Sequence, residues 1–222
     1  MAIVIERFPR TVQLGIASII LAAILAVPAG AIAAIKPQSA LDRLITTISF
    51  AGVSLPEYFL MSVFIIIFAV QLGWRKSSGY DGFNPQYFAL PALALAARPV
   101  GQIMIITRSA MMDELRKQYV VTARAKGLKA SAVIISHVLK NALIPVITLG
   151  GWQMTRMLGG LTVAVEAVAG WPGVGKLALD AIQQHDLPLL QADTFFVALT
   201  VTLLNLLIDI SYGYADPRIR YD

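Results

Sequence analysis

Apolar and polar positions divide this chain into five long apolar runs joined by polar links. The runs cover residues 12–35, 44–72, 88–107, 142–165 and 194–212. They are continuous and show no period-two alternation, which is the pattern of helices and not of half-wet strands. A bilayer core about 30 Å thick takes about 20 apolar residues per helix, so each run is long enough to cross one. Pro56-Glu57 interrupts the second run. A spanning helix tolerates such a break as a kink when neighbours re-satisfy the freed backbone groups, which places Glu57 near a bend and out of lipid. Residues 73–87 read as a loop, with Trp74, Tyr80 and Tyr87 suited to the lipid–water boundary.

Composition agrees with a bilayer as solvent. Of 222 residues, 57% are hydrophobic and 14% charged, and the mean hydropathy is +0.71. A soluble domain of this size needs more charge to cover its surface. The absence of cysteine excludes disulfides, thiol nucleophiles and cysteine-ligated metal. The net charge of +5 is weak evidence for nucleic acid, because membrane proteins collect Lys and Arg on their inner side. With residues 108–140 inside, eleven of the eighteen Lys and Arg fall on that side and five outside. Five spans with an inner C-terminus put the N-terminus outside. The first ten residues carry no secretory signal pattern, so this topology predicts that an upstream segment is missing.

The polar island 108–140 is the most informative stretch. Residues 109–126 favour a helix, Ala123 and Ala125 offer small surface for close approach, and Gly127 stands where a left-handed stop is needed. Arg124 and Lys126 in the last turn suit the helix dipole, and Leu128 supplies the apolar contact after the stop. A second helix beginning near Ser131 completes a hairpin. By charge alone this is a solvated positive-inside loop.

Spacing adds more. Thr122-Ala-Arg-Ala-Lys-Gly127-Leu128, followed nine residues on by His137-Val-Leu-Lys-Asn-Ala142 and then Pro145, resembles the "EAA" loop of ABC importer permeases. It is most similar to the version found in peptide and nickel importers. It departs from the general pattern at Val121, where Glu is usual, and at His137-Val-Leu-Lys140, where Ile-x-Leu-Pro is usual. Further similar stretches are Glu6 to Thr11, Leu55-Pro56, Gln71 to Trp74, Ser78-Gly-Tyr80, Glu166 with Gly170 to Gly175, Asp186-Leu-Pro188, and Asp209 with Asp216-Pro-Arg218.

The resemblance implies an all-α, polytopic transmembrane bundle of about five spans with the type I ABC importer permease fold, lacking the family's first span. It forms one domain over residues 1–222. The chain is then a non-catalytic permease subunit in a bacterial-type inner membrane, and small peptides are its expected cargo. Its implied partners are a second permease, two ATP-binding subunits and an extracytoplasmic binding protein, besides lipid and without nucleic acid. ATP and Mg belong to the ATPase subunits, and no cofactor or metal is expected on this chain. The expected ATPase-coupling residues are Tyr119, Thr122, Ala123, Arg124, Ala125, Lys126, Gly127 and Leu128. Nickel or other solute import, a secondary transporter and a passive membrane scaffold are the alternatives.

Three other signals remain. Gly170 to Lys176 has the spacing of a phosphate-binding loop, but Leu177 stands where Ser or Thr should reach magnesium, and no strand precedes it. Glu166, Trp171, Pro172 and Gly173 are instead expected in an extracytoplasmic turn within the polar segment 166–193. Arg156, midway along the fourth run, is an expensive intramembrane charge. With Gly159 and Gly160 it is assigned to the translocation pathway; pairing of Arg156 with Asp209 or Glu57, and close helix packing at the glycines, are the alternatives. His137 and His185 are isolated and suggest no metal site.

Overall fold

Every regular element among the described residues is helical. The computed structural model describes residues 1–74, 78–82 and 84–215, without the side chains of 209 and 211–215. Arg75 and Lys76, counted above on the outer side, Arg218 and Arg220, counted on the inner side, Asp216 and the Asp209 side chain lie outside the described residues.

In order, the helices are α1 (Ala2–Ile35), α2 (Ala40–Ser54), α3 (Glu57–Phe64), α4 (Pro85–Leu115), α5 (Gln118–Ala125), α6 (Ala130–Ala132), α7 (Lys140–Arg156), α8 (Thr162–Ala169), α9 (Val174–Gln183) and α10 (Leu187–Ala215). Wider π-type turns occupy Ile65–Gln71, Val133–Leu139 and Met157–Leu161. Four helical stretches are long and apolar enough to cross a membrane, or up to five if α2 with the Glu57–Gln71 stretch counts as one.

The helices depart from the apolar runs in informative ways. Helix α2 ends at Ser54 and α3 begins at Glu57, so the run 44–72 is broken into separate helices at Leu55-Pro56 where a kink was expected. Proline removes a backbone donor and disfavours helix at the preceding residue, so a helix can end there outright. Helix α4 continues past the apolar run to Leu115, and the chain then turns at Arg116-Lys117, so the helix expected over 109–126 is two helices. Helix α10 begins at Leu187, seven residues before its apolar run, and takes in Asp193.

Two compact units make up the chain. One comprises Met1–Ile19, Pro56–Ala96 and Gly151–Asp222; the other comprises Ile20–Leu55 and Ala97–Gly150. The core of the first gathers Leu14, Met61, Leu95, Met157, Val165 and Trp171. The core of the second gathers Ala31, Ala34, Met111, Val120, Val133, Val138 and Ala142.

In the second unit, absent side chains let helix backbones approach. A Cβ on Gly30 would sit 2.7 Å from the Met104 carbonyl, and one on Gly52 would sit 2.7 Å from the Ala97 carbonyl. Such small-residue contacts are how helices pack closely in lipid. Asp42, at the start of α2, receives both Nε (2.6 Å) and an Nη (2.8 Å) of Arg108.

Candidate functional site

The hairpin in the second unit is built around α5. This helix ends through two bonds that depend on Gly127. The Gly127 N–H donates to the Arg124 carbonyl at 3.0 Å, and the Leu128 N–H reaches back to the Ala123 carbonyl at 3.3 Å. Such a stop needs a left-handed residue, and Gly127 has φ +78°. A Cβ there would meet nothing within 4 Å, so backbone conformation alone selects glycine.

Helix α5 has two unlike faces. Val120 is fully buried, and Tyr119 and Ala123 pack against the same core. Thr122, Arg124, Ala125, Lys126, Gly127 and Leu128 are exposed. Ala123 and Ala125, expected to share one docking surface, therefore point apart. Two residues along a helix are separated by about 200°, so only Ala125 is available to a partner, while Ala123 closes the hairpin on itself.

A polar brace fixes the stem. The Tyr119 hydroxyl donates to Glu114 at 2.6 Å and accepts from the Asn141 amide at 3.3 Å. Lys117 pairs with the same carboxylate at 2.5 Å. Burial and then the Glu114 bond raise the Tyr119 phenol above its ordinary value, so it stays a neutral donor. One side chain of α5 thus ties the end of α4 to the start of α7. Tyr119 was expected at this site; Glu114 was not, because it precedes the family-like run.

The segment after α8, in the first unit, expected as a turn, is a buried knot. Gly170 (φ +64°) stops α8 with the same bond pair: the Trp171 N–H donates to the Glu166 carbonyl at 2.9 Å, and the Gly170 N–H to that of Ala167 at 3.2 Å. Trp171 is 0% exposed. Its indole N–H donates to the Arg10 carbonyl at 3.1 Å, and Tyr80 meets its ring edge-on at 4.7 Å.

Glu166 is 0% exposed and caps α9. Its carboxylate accepts from the Thr11 hydroxyl at 2.7 Å and the Lys176 N–H at 3.0 Å, while Thr11 accepts from the Val174 N–H at 2.9 Å. The unpaired N–H groups and positive dipole end of a helix favour an anion. Here the chain's own glutamate fills the position a phosphate would take. A Cβ on Gly173 would collide with that carboxylate, and Pro172 is half-buried beside it. The glycines of this motif make room for Glu166.

Around Gly160 the long helical stretch from α6 to α8 breaks, with φ +136° at that residue. Gly159 and Gly160 border a cavity of about 340 Å³ that Asp193 also lines. Arg156 does not line this cavity. Its guanidinium lies 4.7 Å from the centre of the Trp152 ring, a cation–π contact; the side chain of Asp209, one alternative partner, lies outside the described residues.

The chain is similar to known transport proteins along nearly its whole length. It is 40% identical over 96% of its length to the di/tripeptide transport system permease protein DppB of Pseudomonas aeruginosa (71% of that protein). It is 38% identical over 99% of its length to the oligopeptide transport system permease protein AppB of Bacillus subtilis (72% of that protein). To the glutathione transport system permease protein GsiC of Escherichia coli K12 it is 39% identical over 97% of its length (70% of that protein). A solved structure of the MetNI methionine ABC transporter, inward facing, shares the fold with a TM-score of 0.80 and 16% identity, covering 97% of each chain. Residues 26–221 match the family described as "Binding-protein-dependent transport system inner membrane component". This chain belongs to the family of binding-protein-dependent transport system inner membrane components.

Proposed function

We propose that the chain is the transmembrane permease subunit of an ATP-driven importer of small peptides, pushed by a separate ATPase through α5 and the turn at Gly127. The observation that carries this reading is the asymmetry of the hairpin. Its inner face is packed and hydrogen-bonded to α4 and α7, whereas its outer face leaves Ala125, Arg124, Lys126 and Leu128 open. A rigid stem with an open face can pass a partner's closure to the membrane helices as a body movement.

Peptide cargo is supported by relatives named for di/tripeptide, oligopeptide and glutathione transport. In this reading the chain is not itself a catalyst. ATP and Mg are handled by two partner ATPase subunits, a second permease completes the pathway, and an extracytoplasmic binding protein delivers cargo. The hairpin faces the cytoplasm of a bacterial-type inner membrane.

The test is peptide uptake by the reconstituted complex in vesicles. Ala125→Trp is expected to leave the permease folded and inserted but to lower ATP-driven uptake about tenfold, the loss of about 1.4 kcal/mol at a docking contact. Uptake equal to wild type would remove α5 as the coupling element. Peptide uptake that ignores ATP would remove the importer reading altogether.

A further inference from the structure

We propose that the cavity bounded by α8, α9 and α10 receives the protonated terminal amine of the peptide cargo, with the Asp193 carboxylate as its counter-charge. This rests on the peptide-import reading above. The volume, about 340 Å³, lies at the small end of the roughly 300–1,000 Å³ common for ligand pockets. Its walls are mostly apolar or bare: Leu158, Val163, Val197 and Val201 with Gly159 and Gly160.

Asp193 is the ionisable residue among the lining residues, which also include Thr162 and Thr194. It is 3% exposed, and its Oδ1 has no hydrogen-bond partner among the described residues. A carboxylate taken out of water and left without donors is unfavourable, and either a proton or a cation that completes it relieves the cost.

The neighbouring groups do not supply that cation. Lys176 gives its ammonium to both oxygens of Asp180, at 2.9 Å each. Glu166 carries the same sign as Asp193 and is engaged by Thr11 and the Lys176 N–H. The Thr162 hydroxyl bonds to the Met157 carbonyl at 3.2 Å.

Among the described residues nothing meets this oxygen, so a fitting partner comes from elsewhere, carries positive charge, donates N–H bonds and tolerates apolar walls. A peptide α-ammonium meets all four needs, with three donors on a compact head. A hard metal ion does not, since one carboxylate among valines and glycines offers far fewer than the six or more oxygens it takes. Anions are repelled. Gly159 and Gly160, lacking side chains, leave the wall beside the amine open for the rest of the peptide.

Two measurements on the full complex decide this. The first is ATP-driven uptake of Ala-Ala, delivered by the binding protein, with wild type and Asp193→Asn. The variant is expected to assemble normally and to take up sub-saturating Ala-Ala about tenfold more slowly, the loss of one charge-assisted hydrogen bond. The second needs no variant. Labelling of wild-type Asp193 by dicyclohexylcarbodiimide, mapped by peptide mass, is expected to slow about tenfold at about ten times the half-protecting concentration of Ala-Ala. N-acetyl-Ala-Ala should give no protection.

Labelling that is indifferent to Ala-Ala, or equally slowed by the acetylated peptide, overturns the amine site while leaving peptide import standing. Loss of complex assembly in Asp193→Asn, with unprotected labelling in wild type, assigns Asp193 to the second permease and also overturns it. A wild-type complex that imports no peptide at all removes the reading on which the site depends.

Discussion

The turns at Gly127 and Gly170 close their helices with the same two backbone bonds and the same left-handed glycine, yet they serve opposite ends. After Gly127 comes Leu128, 45% exposed; after Gly170 comes Trp171, 0% exposed. A Cβ on Gly127 meets open space, whereas one on Gly170 would press to 3.1 Å against the Ser78 side chain. One stop leaves a surface to be used by another protein. The other is sealed by Arg10, Thr11, Tyr80 and Glu166. Local backbone chemistry sets where a helix ends, and the surroundings decide whether that end is a handle or a lock.

Substitutions should separate the two. The largest effect is expected from Trp171→Ala, which removes the centre of the first unit's core and should destabilise it by about 3–5 kcal/mol. Thermal unfolding of the detergent-purified protein, followed by size-exclusion, measures this; a small loss would mean the knot is not a core. Next is Gly173→Ala, whose new methyl must displace the Glu166 carboxylate, costing about 1–3 kcal/mol. Adding Glu166→Ala in the same chain should recover part of that loss as a non-additive term of about 0.5–3 kcal/mol. Strict additivity would show that the two residues do not share the space.

On the hairpin, Ala123→Trp should cost about 1–3 kcal/mol by overpacking the inner face. Ala125→Trp, two residues on, should stay within about 0.5 kcal/mol of wild type and act on ATP-driven uptake instead. Equal stability losses from the pair would erase the inner and outer faces of α5. Of the two glycine stops, the smaller effect belongs to Gly127→Ala, roughly 1 kcal/mol of left-handed strain and no clash. Gly170→Ala should exceed it in the same unfolding assay, because strain and crowding add there.

Much of the hairpin was legible in the sequence, because its signals lie within a few residues. The stop at Gly127, the basic last turn and the following Leu128 are all local, and the resemblance to the family's loop is carried by the same short stretch, Thr122 to Leu128. The facing of Ala123 was also recoverable, since helical spacing alone sets it opposite Ala125. The knot was not legible. Its acid finds Thr11, 155 residues away, and its indole finds Arg10 across 161 residues. No short-range pattern reports a donor that distant, so a polar segment with Trp-Pro-Gly read as a turn and its burial went unseen. Asp193 escaped for a related reason. It sits just before an apolar run and looked like the end of a loop, whereas the helix begins seven residues earlier and carries it into a buried wall.

The order of residues by itself determined an all-helical membrane protein, its family and the point at which its hairpin helix stops. Apolar run length, glycine's tolerance of positive φ and a short linear motif each act over a few consecutive positions. Only the tertiary structure decided that one glycine stop is open and the other sealed, that Glu166 caps a helix, and that Asp193 Oδ1 has no hydrogen-bond partner among the described residues. Burial and hydrogen bonding across distant segments depend on which elements are brought together, and that is a property of the folded chain.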